Sequence, residues 1–177
     1  MIPRLLSQEF LKQLREYPII TLLGPRQAGK TTLARALLED YAYVSLETPD
    51  VLRFAREDPR GFLLEYPKKV ILDEIQRAPH ILSYRQGIVD ESRMTGQYVL
   101  TGSHQLELRA SITQSLAGRT GILNLLPLSV EELRAATITF DTFQEYVFSG
   151  FLPRIYDKRQ RPHAAHANYY RTYIERH

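Results

Sequence analysis

Residues 19–31 read IITLLGPRQAGKT, and this stretch decides the fold of the chain. The apolar run IITLL is short and rich in β-branched residues, which is typical of a strand buried in a parallel sheet. The eight residues after it match G-x-x-x-x-G-K-[ST] at every fixed position. Beyond them, Leu33, Ala34, Leu37 and Leu38 recur at helical spacing. The motif therefore lies between a strand and a helix, the context that a P-loop requires.

This loop has the chemistry of a nucleotide phosphate site. Gly24 and Gly29 permit backbone conformations that other residues avoid, and they let the chain approach a ligand closely. The N–H groups of the loop and the start of the next helix direct positive partial charge at phosphate oxygens. Lys30 is placed to reach the β- and γ-phosphates, and the Thr31 hydroxyl to hold Mg²⁺. The residues expected to bind the nucleotide are Gly24, Pro25, Arg26, Gln27, Ala28, Gly29, Lys30, Thr31 and Thr32. A glycine turn that only happens to precede a lysine is disfavoured, because the strand and the helix are both in place.

Two adjacent acids, Asp73 and Glu74, supply the predicted second half of the site. They end a third apolar strand, VILD, about forty residues after Lys30. In P-loop NTPases an acid at this place holds Mg²⁺ through its water shell, and a second acid can polarise the attacking water as general base. Two solvated acids at a strand end are the alternative interpretation. Glu74 favours water as the acceptor, and so favours hydrolysis over phosphorylation of a small molecule.

Further polar residues are candidates for the reaction. Thr101 ends the fourth predicted strand and Ser103 lies in the turn that closes it, where a hydroxyl could sense the γ-phosphate or orient the water. An ordinary strand-to-helix turn also favours such residues, so both interpretations stay open. Arg119 is a candidate arginine finger, in cis or from a neighbouring subunit, although most arginines in a chain with 23 basic residues are solvated or paired with acids. Arg154 is a candidate for a second sensing cation.

The order of strands and helices predicts the architecture. Alternating strands and helices indicate a three-layer α/β fold with a central parallel sheet. A helix beginning at Pro79 is expected to place Ile81, Tyr84 and Ile88 on one face. The remaining strands are expected at residues 43–46, 70–73, 98–101 and 120–125.

The pattern changes near Pro127. The segments SVEE at residues 129–132 and TFQE at residues 142–145 both have the form of capping boxes. Gly150 is expected to end the second of these helices, and one more helix is expected from about Ala164. We therefore predict a nucleotide-binding core at residues 1–126 and a small C-terminal helical appendage at residues 127–177.

Composition limits the class of protein. With 177 residues, 44% hydrophobic and 24% charged, the chain has an ordinary globular composition. No apolar stretch approaches the roughly 20 residues of a membrane span. The absence of cysteine excludes disulfides and thiol-ligated zinc, and it agrees with a cytoplasmic location. The net charge of +3 permits contact with nucleic acid but does not require it.

Several motifs together resemble one family. GPRQAGKTTLA, VILDEIQ, VLTGS, SLAGR, PLSVEEL and YYRTYIER occur here in the order seen in prokaryotic AAA-type (AAA+ superfamily) ATPases, in which an AAA core precedes a C-terminal domain of unknown function. The resemblance implies an ATP-binding core with Lys30, Thr31, Asp73 and Glu74 in the roles above, and it favours ATP over GTP. Members usually continue beyond the YIER segment, whereas this sequence stops at His177. The resemblance therefore implies a truncated chain or a degenerate gene and leaves its activity and its oligomeric state open.

The sequence supports more than one function. The first is a Mg²⁺-dependent ATPase that hydrolyses the β–γ bond and couples turnover to a conformational change. The second is a nucleotide-dependent interaction switch that binds ATP with negligible hydrolysis, and a weaker third is an ATP-driven protein that acts on nucleic acid. The expected partners are ATP and an unidentified protein client; self-association and nucleic acid are open alternatives, and no membrane is expected.

Overall fold

A parallel sheet forms the centre of the fold, as the alternating pattern predicts. The computed structural model describes residues 2–84, 94–103 and 106–174. The strands in those ranges are β1 (Ile19–Gly24), β2 (Ala42–Ser45), β3 (Val70–Asp73), β4 (Tyr98–Ser103) and β5 (Thr120–Asn124). Their order across the sheet is β2-β3-β4-β1-β5, and every neighbouring pair is parallel. Because β4 lies between β1 and β3, the carboxyl ends of these three strands are side by side.

Five helices of the described residues pack with this sheet. They are α1 (Leu6–Glu16), α2 (Lys30–Leu37), α3 (Pro49–Glu57), α4 (Pro59–Glu65) and α5 (Leu106–Ser115). A proline occupies the first turn of α3 and of α4, where its missing N–H costs no helical hydrogen bond. A 3₁₀ turn (Ile75–Arg77) follows β3, and residues 81–84 are helical. The predicted continuation of that helix, including Ile88, lies outside the described residues.

The side chains of β1 alternate between two apolar layers. Ile19 and Leu23 belong to a buried cluster that includes residues of α3, α4 and α5. Ile20 and Leu22 belong to a second cluster, with residues of α1 and α2. This alternation follows from the period of two along a strand. The sheet is therefore covered on both faces, which explains why β1 is apolar apart from Thr21.

The chain divides into two compact units. The core unit comprises Leu6–Arg26 and Lys30–Leu125, and the appendage unit comprises Met1–Leu5, Gln27–Gly29 and Leu126–His177. The sequence pattern predicts a division near residue 127 but places the first five residues and the middle of the glycine loop in the core. The structure groups these two short segments with the C-terminal helices instead. The contacts of Arg4 explain this grouping.

The side chain of Arg4 connects three segments of the appendage unit. This side chain is nearly buried and forms a salt bridge with Glu132, with Nε 3.0 Å from Oε1. Its two terminal nitrogens donate to the carbonyl oxygens of Ala28, at 2.7 Å, and Leu126, at 2.6 Å. Glu132 also accepts from the backbone N–H of Leu5 at 2.9 Å. One buried cation therefore ties together three segments that are far apart in the sequence.

Two helices of the appendage begin at the predicted capping boxes. They are α6 (Val130–Ala135), α7 (Phe143–Ser149), α8 (Pro153–Asp157) and α9 (Pro162–Tyr169), with a π-helical turn at Tyr170–Ile174. Ser129 with Glu132 and Thr142 with Glu145 both form complete capping boxes. Gly150, at φ 72°, ends α7 as predicted.

The predicted fold class is confirmed, and some details differ. β2 runs over Ala42–Ser45, one residue earlier than expected, because it pairs in register with β3 from Val70 to Asp73. The helix expected from Ala164 begins at Pro162, and α8 is absent from the prediction. No helix of the described residues is long and apolar enough to cross a membrane.

Candidate active site

The glycine loop leaves β1 through backbone conformations that only some residues adopt. Gly24 has φ 153° and Gly29 has φ 92°, both in the region that glycine tolerates best. A Cβ atom at Gly24 would overlap the carbonyl oxygen of Leu125. Gln27 also has a positive φ, 61°, which is uncommon for a residue with a side chain. The loop then runs directly into α2 at Lys30.

Lys30 is buried at the start of α2. Its ammonium group donates to the carbonyl oxygens of Gly24 and Pro25, each at 2.9 Å. Burial lowers the pKa of Lys30, although the charges of Glu74 and Asp73 act in the opposite direction. A buried cation that has only neutral carbonyl oxygens as hydrogen-bond partners favours an approaching anion. The position of Lys30 therefore agrees with a phosphate-binding role.

Asp73 is the centre of a hydroxyl cluster at the end of β3. Thr31 Oγ1 donates to Asp73 Oδ1 at 2.7 Å, and Thr101 donates to the same oxygen. The hydroxyl of Tyr43 donates to the other oxygen, Oδ2, at 2.9 Å. Asp73 is 6% exposed. The carboxylate is therefore held by three donors, one each from α2, β2 and β4.

Glu74 follows with a left-handed backbone, at φ 59° and ψ 48°. Its N–H points towards Thr101 Oγ1, at 3.4 Å, and its carboxylate accepts from the side-chain amide of Gln76. A non-glycine residue in this conformation carries a cost of about 1–3 kcal/mol, and such residues cluster at functional sites. The turn directs the chain away from the sheet immediately after Asp73.

Thr101 and Ser103 differ in their surroundings although both are buried. Thr101 Oγ1 is engaged with Asp73. Ser103 lies opposite Gly24 in the register of the sheet, is 2% exposed, and its Oγ has no hydrogen-bond partner among the described residues. The structure thus places Thr101 beside the acids and Ser103 beside the first residue of the loop.

The family model described as "AAA domain" matches residues 16–134, well over half of the chain. The chain belongs to the AAA domain family. The matched range contains the glycine loop, Asp73, Glu74 and Ser103.

Two uncharacterized mycobacterial proteins are similar to this AAA domain in sequence. One is from Mycobacterium bovis and the other from Mycobacterium tuberculosis, and each is 27% identical over 168 residues, which is 93% of this chain. The match covers 37% of each mycobacterial protein. The chain thus spans little more than a third of the length of these curated relatives.

Solved structures show the same fold at lower identity. A Walker-type ATPase of Pyrococcus abyssi superposes with a TM-score of 0.58 at 17% identity, over 86% of this chain and 65% of that one. AMPPCP-bound DnaA from Aquifex aeolicus superposes with a TM-score of 0.55 at 15% identity, over 87% of this chain and 57% of that one. At these identities the likeness establishes the fold.

Tyr43 was not predicted for the site of the AAA domain. It is two residues before Ser45, which pairs with Asp73 across the sheet, and the guanidinium of Arg35 lies 4.7 Å above its ring. Burial, and then the neighbouring Asp73 carboxylate, raises the pKa of Tyr43. The only sequence signal was a tyrosine in a strand next to VILD, which is too common to identify a contact with an acid.

Arg119 lies at the amino ends of the strands, whereas the glycine loop follows the carboxyl end of β1. It immediately precedes β5, and its carbonyl oxygen accepts from the N–H of Ile19 at the beginning of β1. The length of β1, about 16 Å at about 3.3 Å per residue, separates this end of the sheet from Gly24. The structure therefore does not bring Arg119 to the loop of the same chain, and a role in trans stays a prediction.

Arg154 lines a cavity within the appendage unit. The cavity has a volume of about 510 Å³. Its polar lining includes Gln27, Gln160, Arg161 and Asn168. Gln27 is the residue of the glycine loop that belongs to this wall. A sensing role for Arg154 stays a prediction.

The residues present fit a magnesium ion. Thr31 and Asp73 offer a hydroxyl and a carboxylate oxygen within hydrogen-bond distance of each other, and Mg²⁺ prefers oxygen ligands and usually keeps several waters. No cluster of three or more His, Cys, Asp or Glu side chains suited to a metal occurs among the described residues. Few protein ligands are expected for an ion that is shared with a bound polyphosphate.

Proposed function

We propose that this AAA domain is an ATPase that binds ATP with Mg²⁺ and hydrolyses the bond between the β- and γ-phosphates. One observation carries the proposal: Thr31, which directly follows the buried Lys30, forms a 2.7 Å hydrogen bond with Asp73. A cation, a hydroxyl and a carboxylate lie together at the end of the glycine loop, and this supports the proposal because Mg²⁺–polyphosphate chemistry needs these groups.

Binding would use the loop and Lys30. The backbone of residues 24–31 surrounds the phosphates, and Lys30 exchanges its contacts with Gly24 and Pro25 for anionic oxygens. Thr31 and Asp73 would hold the metal ion, which neutralises charge on the β- and γ-phosphate oxygens when it is bound. Loss of Lys30 should therefore weaken binding, not only the chemical step.

Hydrolysis would use Glu74 as general base. Glu74 takes a proton from water as the water oxygen bonds to the γ-phosphorus. The bond from the γ-phosphorus to the bridging oxygen breaks, and its electron pair leaves with ADP. The products are ADP, inorganic phosphate and a proton that Glu74 returns to solvent. Ser103, buried opposite Gly24 with an uncommitted hydroxyl, is the better candidate to contact the γ-phosphate, whereas Thr101 positions Asp73.

Coupling to movement, partners and location are further proposals. A second sensing cation at Arg154 is proposed from the sequence, and a trans finger at Arg119 would require self-association. The DnaA structure holds AMPPCP, and a nucleotide of that class is the natural ligand to try here. A protein client, action on nucleic acid and a cytoplasmic location remain predictions from the sequence.

The test is release of phosphate from Mg²⁺-ATP over a range of protein concentrations. We expect turnover that is lost in Lys30→Ala together with nucleotide affinity, and turnover that falls about 100-fold or more in Glu74→Gln while binding persists. Specific activity that rises with protein concentration would support Arg119 acting in trans. Binding without turnover above the Lys30→Ala control would contradict an ATPase and support a nucleotide-dependent switch.

A further inference from the structure

Gln76 is bonded to the acid that the proposed mechanism uses as general base. The 3₁₀ turn after β3 brings it back towards Glu74, where its side-chain Nε2 donates to Glu74 Oε2. Glu74 itself has the left-handed backbone that starts this turn. Ile75, between the two, is fully buried and anchors the turn in the core. The contact therefore depends on a fixed backbone geometry.

Space for Gln76 is made by the glycine at the end of β4. An added Cβ at Gly102 would lie 2.8 Å from Gln76 Oε1 and 2.6 Å from Leu108 Cδ2. Approaches below about 3 Å force a neighbour to move. Gly102 thus lets the Gln76 amide lie against the strand that carries Thr101 and Ser103.

The oxygen of the same amide is not accounted for by the contacts of the described residues. Gln76 Oε1 is buried and accepts no hydrogen bond from any described residue. A buried acceptor without a partner lowers stability, so a glutamine that served packing alone would be a poor choice here. The contact of the amide nitrogen with Glu74 is therefore the part of this side chain that the structure explains.

We propose that Gln76 is a positioning residue for hydrolysis: its amide fixes the Glu74 carboxylate through Oε2 and leaves Glu74 Oε1 to take the proton from the water. This inference rests on the proposed ATPase function and assigns a residue to it. Gln76 acts through Glu74, so its effect should vanish when Glu74 is no longer a base.

A double-mutant cycle tests this dependence. Gln76→Ala should lower kcat about 10- to 100-fold, a part of the 10²–10⁴-fold that general base catalysis supplies, with nucleotide affinity changed less than 2-fold. In a Glu74→Gln background the same change should have an effect of less than 2-fold in single-turnover assays. Gln114→Ala, at an exposed glutamine of α5, is the matched control and should change neither quantity. An equal loss in both backgrounds would overturn the proposal.

A second variant guards against misfolding, and a second readout does not need turnover. Gln76→Glu keeps the shape but removes the donor, so it should lower kcat as Gln76→Ala does; wild-type kcat in either variant overturns the proposal.

In ligand-free protein labelled with ¹⁵N, the side-chain amide signal of Gln76 should shift in Glu74→Gln while that of Gln114 stays fixed. An unmoved Gln76 signal overturns the contact itself. If wild-type protein shows no turnover, the proposed function fails and this inference with it, whereas turnover with an unaffected Gln76→Ala overturns the inference alone.

Discussion

Thr31 Oγ1 lies 2.7 Å from Asp73 Oδ1 and donates a hydrogen bond to it, although 42 positions separate the two residues. The bond connects the first turn of α2 with the end of β3. It brings together the two protein oxygens expected at a magnesium ion. Asp73 Oδ2, held by Tyr43 at 2.9 Å, faces a different partner. The orientation of the carboxylate is therefore set from both sides.

Tyr43→Phe removes the donor on one side of Asp73 while keeping the ring under Arg35. We expect the Mg²⁺ concentration at half-maximal ATP turnover to rise about 10-fold, the lower end of the loss seen when a group that orients a metal ligand is removed. Nucleotide affinity without Mg²⁺ should stay within 2-fold. Tyr84→Phe, at a tyrosine exposed to 42%, is the control. An unchanged Mg²⁺ dependence in Tyr43→Phe would show that Asp73 does not need this bond.

Ser103→Ala should separate activity from stability. The Ser103 hydroxyl is buried and bonds to no described residue, so its removal should leave the free energy of unfolding unchanged or slightly higher. Turnover should fall about 10- to 100-fold if the hydroxyl contacts the γ-phosphate, since one hydrogen bond to a charged group contributes about 1.5–3 kcal/mol. Turnover and urea unfolding are the two measurements.

Ser129→Ala is the matched control for the same chemical change. The Ser129 hydroxyl accepts from the N–H of Glu132 at 3.0 Å in a complete capping box. Its loss should cost about 1 kcal/mol of stability and leave kcat unchanged. If Ser103→Ala destabilises the protein as much as Ser129→Ala does, the hydroxyl of Ser103 has a structural role instead.

Local patterns predicted those parts of the fold and site that depend on neighbouring residues. The strand and loop at residues 19–31 have a sequence signature because a buried strand must be apolar and a phosphate loop needs glycine at fixed places. The contact of Tyr43 with Asp73 has no signature, because it depends on the register of β2 against β3. Gln76 was visible within VILDEIQ, but its role depends on the left-handed turn at Glu74.

The order of the motifs along the sequence does not show whether Arg119 lies near the glycine loop, because that depends on the direction of the strands. Arg119 comes after the glycine loop and the two acids in the expected order, yet it precedes its strand whereas the glycine loop follows β1. Because β1 and β5 are parallel, these two positions are at opposite ends of the strands. The polarity could have been read from the sequence; the role of Arg4 could not, because its partner Glu132 is 128 positions away.

Tyr156 should make the stability of the appendage sensitive to alkaline pH. Its hydroxyl donates to the Gly150 carbonyl oxygen at 2.5 Å, and burial, with a smaller effect of Tyr146, raises its pKa above the ordinary value near 10. A pKa raised by folding means that the stabilisation is complete below pH 10 and is lost as the pH rises through the raised value. Tyr156→Phe lacks this contribution at every pH.

The free energies of unfolding of wild type and Tyr156→Phe should therefore converge above pH 10. At pH 7 the variant should be less stable by about 1 kcal/mol, the usual value of one hydrogen bond. Urea unfolding at pH 7, 9 and 11 measures the difference. Tyr170→Phe, at a tyrosine exposed to 53%, provides the control. A difference that is the same at all three pH values would contradict the pH dependence.

Arg4→Met should be among the most destabilising single changes in the appendage unit. The side chains of Arg4 and Glu132 are 5% and 6% exposed, so the variant leaves a buried carboxylate without its cation and the carbonyl oxygens of Ala28 and Leu126 without a donor. Removing one member of a buried ion pair costs about 3–5 kcal/mol. Urea unfolding followed by tyrosine fluorescence suits a chain with 11 tyrosines and no tryptophan.

Arg53→Met is the comparison variant, because it removes one member of an exposed ion pair instead of a buried one. Arg53 pairs with Asp50 at 2.8 Å, closer than Arg4 Nε to Glu132, but the two side chains are 65% and 82% exposed. Exposed pairs contribute about 0–1 kcal/mol because water solvates both charges and competes with the contact. If both variants lose the same stability, burial is not what makes Arg4 important. A large loss for Arg4→Met alone would show that Arg4 holds residues 1–5, 27–29 and 126–132 together.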